Sequence, residues 1–263
     1  MRQREPGGLS QTRWAGKPCY HLESVESTNE YAKEIAQQGA EHGTLILAQE
    51  QTKGKGRRGR TWMSPKGDNI YMSILLRPQI EPDHASMLTL VAAMAVAKGI
   101  REVSSLKTQI KWPNDIVVQG KKVCGILTEM SAEVGRVHYV VIGIGINVHN
   151  RDFPQEIRAT ATSLDLQAGT RQNRTELIEA VWKAFETYYE DYCKTQDMSV
   201  LQEEYNRHLA NCNQEVKVLD GEHSYMGVAK GITKKGELQV ETEGEIRLVS
   251  SGEVSVRGIY VYV

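Results

Sequence analysis

The stretch Asp115-Ile116-Val117-Val118-Gln119-Gly120-Lys121-Lys122-Val123-Cys124-Gly125-Ile126-Leu127-Thr128-Glu129 decides the fold class, because two runs of strand-forming residues flank a short polar turn. A Gly-containing polar turn between such runs is typical of a β-hairpin. The preceding segment 82–100 carries apolar residues at helical spacing and predicts a buried helix. The apolar run 137–146 predicts a further strand. The centre of the chain is therefore α+β.

Towards the N-terminus the same reasoning adds one helix and three strands. Apolar residues alternate with a period of two over 70–76 and predict a half-buried strand, and shorter strands are predicted at 20–25 and 44–48. Ser27 followed three residues later by Glu30 matches a helix capping box, so a helix is predicted from there to about Gln38. Residues 1–18 are polar, contain Gly and Pro, and are predicted to be a flexible tail or the remnant of a linker.

Towards the C-terminus two helices are predicted at 175–192 and 200–209, and the pattern then changes. Beyond residue 212, short strand-like runs alternate with turn pairs such as Asp220-Gly221 and Lys235-Gly236. A domain boundary is predicted near residue 213. Residues 19–212 then form the main domain, and residues 213–263 form a small all-β domain.

Composition and charge exclude several classes of protein. Apolar residues make up 40% of the chain and charged residues 25%, which is ordinary for a folded globular protein. The 32 basic and 33 acidic residues nearly cancel, so no global field favours nucleic acid or an anionic membrane. The four cysteines are scattered, which suits a reducing cytoplasm better than a disulfide framework. No apolar run is long enough to predict a membrane span.

The densest chemistry lies in Gly54-Lys55-Gly56-Arg57-Arg58-Gly59-Arg60-Thr61-Trp62, which has four cations and three glycines. Glycines let the backbone approach a ligand, and arginine offers a forked donor suited to phosphate. Three interpretations are open: a solvated basic turn, a phosphate cradle, or a nucleic-acid contact. The spacing is not that of a Walker A loop. The largely uncharged flanks weaken the nucleic-acid interpretation.

With its flanks this loop resembles the adenylate loop of biotin-protein ligases, and four other blocks follow the same order as in that family. They are Ser27-Thr28-Asn29, Lys111-Trp112-Pro113-Asn114-Asp115 with the hairpin Lys122-x-x-Gly125, Gly143-Ile144-Gly145-Ile146-Asn147, and Gly252-Glu253-Val254-Ser255-Val256-Arg257. The resemblance covers about residues 20–257. It implies a mixed or antiparallel sheet flanked by helices, a class II synthetase-like architecture shared with lipoate ligases, and a C-terminal SH3-like β-barrel.

The resemblance also implies a reaction. Biotin and ATP would form biotinyl-5'-AMP and pyrophosphate, and the biotin would then pass to a lysine of a biotin carboxyl carrier domain. Magnesium would arrive with ATP, since no dedicated metal ligands are visible. Homodimers are possible in such a protein. Only 26 residues precede Ser27, too few for the winged helix-turn-helix of repressor-type members, so DNA binding is not expected.

The residue roles implied by the resemblance fall into three groups. The predicted catalytic residues are Arg57, Lys122 and Asp115. The predicted biotin-binding residues are Ser27, Thr28, Asn29, Gln51, Gly54, Lys55, Arg57, Trp62, Lys122 and Gly125. The predicted ATP and adenylate contacts are Lys55, Arg57, Arg58, Arg60, Trp62, Lys122, Gly143, Gly145 and Asn147.

The sequence alone leaves the roles of Lys55 and Asp115 open. The family usually has arginine at position 55, so the contact made by Lys55 is unsettled. Asp115 is expected either to orient Lys122 or to accept a proton from the incoming lysine. The loop is expected to be disordered in the free enzyme and to become ordered over the adenylate, where it excludes water. The alternative functions are a lipoate or octanoate transferase and, in a different class, a nucleic-acid-binding regulator.

Overall fold

A computed structural model describes residues 8–220, 223–251 and 254–258. The main domain is built on a seven-stranded sheet in which only the β1–β2 pair is parallel. Its strands, in spatial order, are β1 (Cys19–Leu22), β2 (Leu45–Ala48), β3 (Ile70–Leu76), β7 (Arg136–Ile146), β6 (Lys121–Glu133), β5 (Asp115–Val118) and β4 (Thr108–Lys111). The predicted mixed sheet is confirmed.

Helices cover both faces of this sheet. They are α1 (Thr28–Gln37), α2 (Leu88–Ser104), α3 (Leu164–Ala168), α4 (Arg174–Thr195) and α5 (Gln202–His208), and 3₁₀ turns occupy Arg57–Gly59 and Pro82–Met87. Residues of α2 and α4 share one hydrophobic cluster with Ile74, whereas α1 shares a second cluster with Leu75. Because neighbouring residues of a strand point to opposite faces, these two clusters lie on opposite sides of the sheet.

The strand β3 is buried along its whole length, which corrects the prediction of a half-buried strand. The alternation of apolar residues identified only the face that packs on α2 and α4. The other face is covered by α1, and its polar residue Ser73 has no exposed surface because it is hydrogen bonded beneath that helix. A polar side chain can occupy a buried face when its hydrogen bonds are satisfied.

The small domain is a five-stranded antiparallel sheet of SH3-like type. Its spatial order is β11 (Glu245–Val249), β10 (Leu238–Thr242), β9 (His223–Ile232), β8 (Glu215–Asp220) and β12 (Val254–Gly258). It is fastened to the main domain by buried Trp112, whose Nε1 donates to the carbonyl of Gly236 at 3.0 Å. Of the fifth and last sequence block, Gly252-Glu253 lies outside the described residues.

Residues 8–18 are packed on α4, so the prediction of a flexible tail is wrong for this segment. The buried carboxylate of Glu186 accepts the backbone N–H groups of Arg13, Trp14 and Ala15 at 2.6–2.8 Å. Glu179 accepts those of Ser10 and Gln11. This polar segment is held through its backbone N–H groups, which two buried carboxylates accept. These hydrogen bonds join residues about 170 positions apart, so local sequence does not reveal them.

Candidate functional site

A cleft opens where the start of α1, the glycine-rich loop and the β5–β6 hairpin meet over β7. Most of the residues predicted to bind ligand line it. The lining residues are Ser27, Thr28, Asn29, Gln51, Lys55, Gly56, Arg57, Trp62, Asn114, Lys122, Gly125, Ile126, Leu127, Gly143, Ile144 and Gly145. The fold thus brings together segments from residue 27 to residue 145.

Polar side chains on one side of the cleft are held in a hydrogen-bond network. The Oε1 atom of Gln51 accepts from the backbone N–H and the hydroxyl of Thr28 at 2.9 and 3.0 Å, and its Nε2 donates to Ser64 Oγ at 2.9 Å. These bonds fix the Gln51 amide and the Thr28 hydroxyl before any ligand arrives. Fixed polar groups in a largely apolar pocket set the orientation of a polar ligand group.

Ser27 lies at the N-terminal cap of α1 with an extended backbone, as predicted, but its side chain makes no capping hydrogen bond. The reciprocal partner expected from a capping box, Glu30, instead binds lysines. The predicted capping box is therefore wrong. The buried Ser27 hydroxyl faces the cleft lining, where a ligand can take up its hydrogen bond.

Asn29 is buried at the floor of the cleft. Its Oδ1 lies 2.7 Å from Ser73 Oγ, and its Nδ2 donates to the Leu127 carbonyl at 3.2 Å and to Glu129 Oε2 at 2.8 Å. All of its polar atoms are thus bound by protein. A Cβ atom on Gly143 would lie 2.1 Å from Asn29 Oδ1, so glycine is needed there to admit this amide.

Trp62 forms a wall of the cleft over two glycines. A Cβ atom on Gly145 would lie 2.4 Å from Trp62 Nε1, and one on Gly125 would lie 3.0 Å from the edge of the same ring. Gly54 is equally constrained, since its Cβ would lie 2.4 Å from the Trp62 carbonyl oxygen. Glycine at these positions lets the indole lie flat against the sheet. This gives a steric reason for the glycines that were predicted to line the site.

Lys122 and Asp115 form an ion pair across the β5–β6 hairpin, with Nζ 2.6 Å from Oδ1. Both side chains are largely buried, at 22% and 12% exposed. The ammonium group also lies 5.3 Å from the centre of the Trp62 ring, within the range of a cation–π contact. Only Lys122 of the two neighbouring lysines lines the cleft, while Lys121 is exposed.

Arg57 reaches out of the glycine-rich loop to two other elements. Its Nη1 donates to Asn114 Oδ1 at 2.9 Å, and its Nη2 donates to the carbonyl oxygen of Ser251 in the small domain. Burial lowers the pKa of the Arg57 guanidinium, and the negative charge of Asp115 opposes that shift. The guanidinium is therefore a fixed, partly desolvated cation at the mouth of the cleft.

The remaining loop cations are arranged differently. Arg58 and Arg60 are exposed and do not line the cleft, and Arg58 adopts a left-handed backbone with φ of 58°. Lys55 lines the cleft, but its Nζ lies 2.5 Å from Glu30 Oε1. Four loop cations were predicted to contact phosphate. Of these, Arg57 points into the cleft, Lys55 is paired with Glu30, and Arg58 and Arg60 point outward.

Asn147, predicted to contact ATP, does not line the cleft. Its Nδ2 donates to the Thr162 carbonyl at 3.1 Å and its backbone N–H donates to the Val123 carbonyl at 2.8 Å. Thr162 in turn donates to the backbone of Lys122. In this structure Asn147 supports the strand that carries Lys122, which differs from the direct ligand contact predicted.

Several lining or supporting residues were not singled out from the sequence. Asn114 and Glu129 belong to quoted segments but received no role, and Ser73, Ser64 and Ser251 belong to none. Their signal in the sequence is weak, because each acts through a contact with a residue at least 13 positions away.

Other features concern metals, membranes and thiols. Within residues 8–220, 223–251 and 254–258, no group of three or more His, Cys, Asp or Glu residues is placed to hold a metal ion. No helix of the described chain has the length and hydrophobicity needed to span a bilayer. All four cysteines are free.

The mixed sheet carries one cleft that combines fixed cations with an amide-lined floor, an arrangement suited to an anionic small molecule with a polar head group. Family models support this and are more specific. Residues 21–147 match the Biotin/lipoate A/B protein ligase family, and residues 212–257 match the Biotin protein ligase C terminal domain.

Individual relatives agree. The chain is 39% identical to the bifunctional ligase/repressor BirA of Bacillus subtilis, over 96% of this chain and 81% of that protein. It is 29% identical to the biotin--[acetyl-CoA-carboxylase] ligase of Paracoccus denitrificans, over 90% of this chain and all of that protein. The biotin protein ligase of Aquifex aeolicus, solved with biotin and ATP, superimposes with a TM-score of 0.81 at 33% identity, covering 91% of this chain and 98% of that one. The chain belongs to the biotin protein ligase family.

Proposed function

We propose that this protein joins biotin to ATP, forming biotinyl-5'-AMP and pyrophosphate, and then transfers the biotinyl group to a lysine of a biotin carboxyl carrier domain. The observation that carries the proposal is the presence of Lys122, Arg57 and the Gln51–Thr28 amide network in one cleft. The solved Aquifex relative was crystallised with both biotin and ATP.

The polar network provides a site for the ureido ring of biotin. Ser27 has a free hydroxyl, Thr28 has a lone pair left on its hydroxyl, and the Gln51 amide is already oriented. An unpaired buried polar group costs about 1–3 kcal/mol, so these partners favour a ligand with both donors and acceptors at that end. The indole of Trp62 and the bare backbone of Gly145 provide apolar walls for the rest of the molecule.

The first chemical step brings two anions together. A biotin carboxylate oxygen attacks the α-phosphorus of ATP, a P–O bond forms, and pyrophosphate leaves with the electrons of the broken bond. Lys122 and Arg57 reduce the repulsion between carboxylate and phosphate because their charges are fixed before reaction. Asp115 holds the Lys122 ammonium at 2.6 Å and so restricts where that charge can lie.

In the second step the carrier lysine attacks the acyl carbon, an amide bond forms, and AMP leaves with the former carboxylate oxygen. The attacking amine must lose a proton, and we propose that Asp115, the ion-pair partner of Lys122, receives it. Arg58 and Arg60 are exposed on the same loop, and their proposed role is contact with the phosphates of ATP. Magnesium would enter bound to ATP, and a cytoplasmic location, a homodimer and the absence of DNA binding remain predictions.

The direct test of the transfer step is incubation with biotin, ATP, magnesium and a carrier domain, followed by intact-mass measurement. The carrier should gain one biotinyl group, and a carrier with its acceptor lysine changed to arginine should gain none. Equal labelling of both carriers would show that the transfer is not directed to that lysine.

A further inference from the structure

The ammonium group of Lys55 is bound to the protein itself. Its Nζ lies 2.5 Å from Glu30 Oε1 on the first turn of α1, and both side chains are about half exposed, at 49% and 40%. A second cation of the loop, Arg57, is bound to Asn114 and to the Ser251 carbonyl. The glycine-rich loop is thus fastened at two points on different elements.

The glycine-rich loop forms a small hairpin of its own. An isolated antiparallel bridge joins Lys55 to Thr61, and Gly56 N–H donates to the Arg60 carbonyl at 2.7 Å. Lys55 therefore stands at the base of a small hairpin whose tip carries the remaining arginines. A restraint on Lys55 restrains the position of the whole hairpin relative to α1.

Glu30 also begins a series of ion pairs and hydrogen bonds that extends to the floor of the cleft. Lys33 binds Glu30 at 2.6 Å and Glu129 at 2.9 Å, and Glu129 accepts from Asn29 Nδ2 at 2.8 Å. The hydrogen bonds from Lys33 and Lys55 lower the pKa of the Glu30 carboxyl. The loop is therefore connected to a residue that lines the ligand cleft.

We propose that Glu30 is a positioning residue that acts through Lys55 as a latch, holding the glycine-rich loop over the cleft. In this role Lys55 is a structural partner of α1 and not a phosphate ligand. The consequence for catalysis, slower loss of the adenylate from the cleft, rests on the proposed function. The latch itself does not, because it is a contact between two residues of the protein.

The strength of the contact suits a lid that must open in every turnover. An exposed ion pair shifts an equilibrium only about two- to fivefold, and salt weakens it. A stronger, buried pair would keep the loop shut against entry of substrate. The latch therefore biases the loop towards closure without locking it.

Tryptic cleavage of the ligand-free protein tests the latch directly. Glu30→Gln leaves every tryptic site of the loop intact and is expected to speed cleavage after Arg57, Arg58 and Arg60 about two- to fivefold. Glu26→Gln is the matched control, because Glu26 forms a similarly exposed pair with Lys53 at 2.8 Å just outside the hairpin. Added salt should bring wild type towards the Glu30 variant. Equal cleavage rates for wild type and both variants would overturn the proposal.

Release of biotinyl-5'-AMP gives a second, functional measurement. Glu30→Gln and Lys55→Gln should each raise the release rate about two- to fivefold, and the double variant should release no faster than either single one. If Lys55→Gln raises the release rate as much in the Glu30→Gln background as it does in wild type, Lys55 contacts the ligand and the latch is wrong. If wild type forms no adenylate at all, the proposed function fails while the cleavage experiment still decides the latch.

Discussion

Lys122 Nζ lies 2.6 Å from Asp115 Oδ1, and the two residues come from neighbouring strands joined by a two-residue turn. The backbone N–H of Lys122 is bound as well, since it donates to the Thr160 carbonyl at 2.8 Å. Both ends of this lysine are thus held, and its charge is set in place by the hairpin. That arrangement underlies the first prediction.

Lys122→Ala should lower the rate of adenylate formation about 10²- to 10³-fold, the usual loss when one preorganised charge is removed from a reaction centre. Asp115→Asn should lower it about 10- to 100-fold, because a charged hydrogen-bond partner of the lysine is lost. Single-turnover formation of biotinyl-5'-AMP measures both. Lys121→Ala is the matched control and should behave as wild type; an equal loss in that variant would show a general effect of the hairpin.

Arg57→Ala should leave the fold intact and let the adenylate escape into solution. The guanidinium is the inward cation of the loop, and its removal takes away both the charge proposed to face the phosphate and the contact to Asn114. Labelling of bystander lysines on an unrelated protein, followed by streptavidin blotting, should rise severalfold. Arg60→Ala, which removes an exposed cation of the same loop, should raise it less. Tight retention of the adenylate by Arg57→Ala would remove this residue from its proposed role.

The glycines under Trp62 and beside Asn29 should not tolerate a methyl group. In Gly145→Ala the new Cβ would lie 2.4 Å from Trp62 Nε1, and in Gly143→Ala it would lie 2.1 Å from Asn29 Oδ1. Forced movement of such packed groups costs about 1–3 kcal/mol, so the biotin dissociation constant should rise about 5- to 150-fold. Calorimetric titration with biotin measures it.

The control for these glycines is Gly135→Asn at the tip of the β6–β7 hairpin. Gly135 has φ of 71° and open space around its Cβ position, and asparagine accepts that conformation. Its biotin affinity should equal that of wild type. Unchanged affinity in Gly145→Ala would mean that Trp62 does not form a wall of the ligand site.

Stability should depend on pH through His42, which packs on Trp14 of the N-terminal segment. Burial and the charge of Arg77 lower the pKa of His42, and its Nδ1 accepts the Arg77 backbone N–H at 3.0 Å. The unfolded chain, with an ordinary value of 6.5, therefore binds more protons than the folded one between the lowered pKa and pH 6.5. The contribution of His42 to the unfolding free energy is complete above pH 6.5. It is lost as the pH falls through the lowered pKa of His42.

Urea unfolding from pH 7.5 to 5 should therefore show a steeper loss of unfolding free energy in wild type than in His42→Gln. His138→Gln, at a partly exposed position, is the control and should keep the wild-type slope. Identical slopes in wild type and His42→Gln would contradict the prediction.

Sequence reasoning recovered the class of fold and most of the cleft, for identifiable physical reasons. Periodicity located β3 and α2, and the spacing of glycines and cations marked the loop. Lys122 was distinguished from Lys121 by resemblance, and the ion pair with Asp115 explains the distinction. These features are local, so short stretches of sequence carry them.

Features that depend on distant partners were missed or misassigned. Residues 8–18 were predicted to be a flexible tail because Glu186, which binds their backbone, lies about 170 residues away. Asn147 was predicted at the ligand, yet its amide faces Thr162. The pairing of Lys55 with Glu30 was unpredictable for the same reason, since composition does not show which way an exposed cation turns.

Adenylate formation is measured by biotin-dependent exchange of radiolabelled pyrophosphate into ATP, catalysed by the purified wild-type protein. The exchange should require biotin, saturate with it and be lost in Lys122→Ala. Exchange with lipoate and none with biotin would rule out the proposed biotin ligase activity.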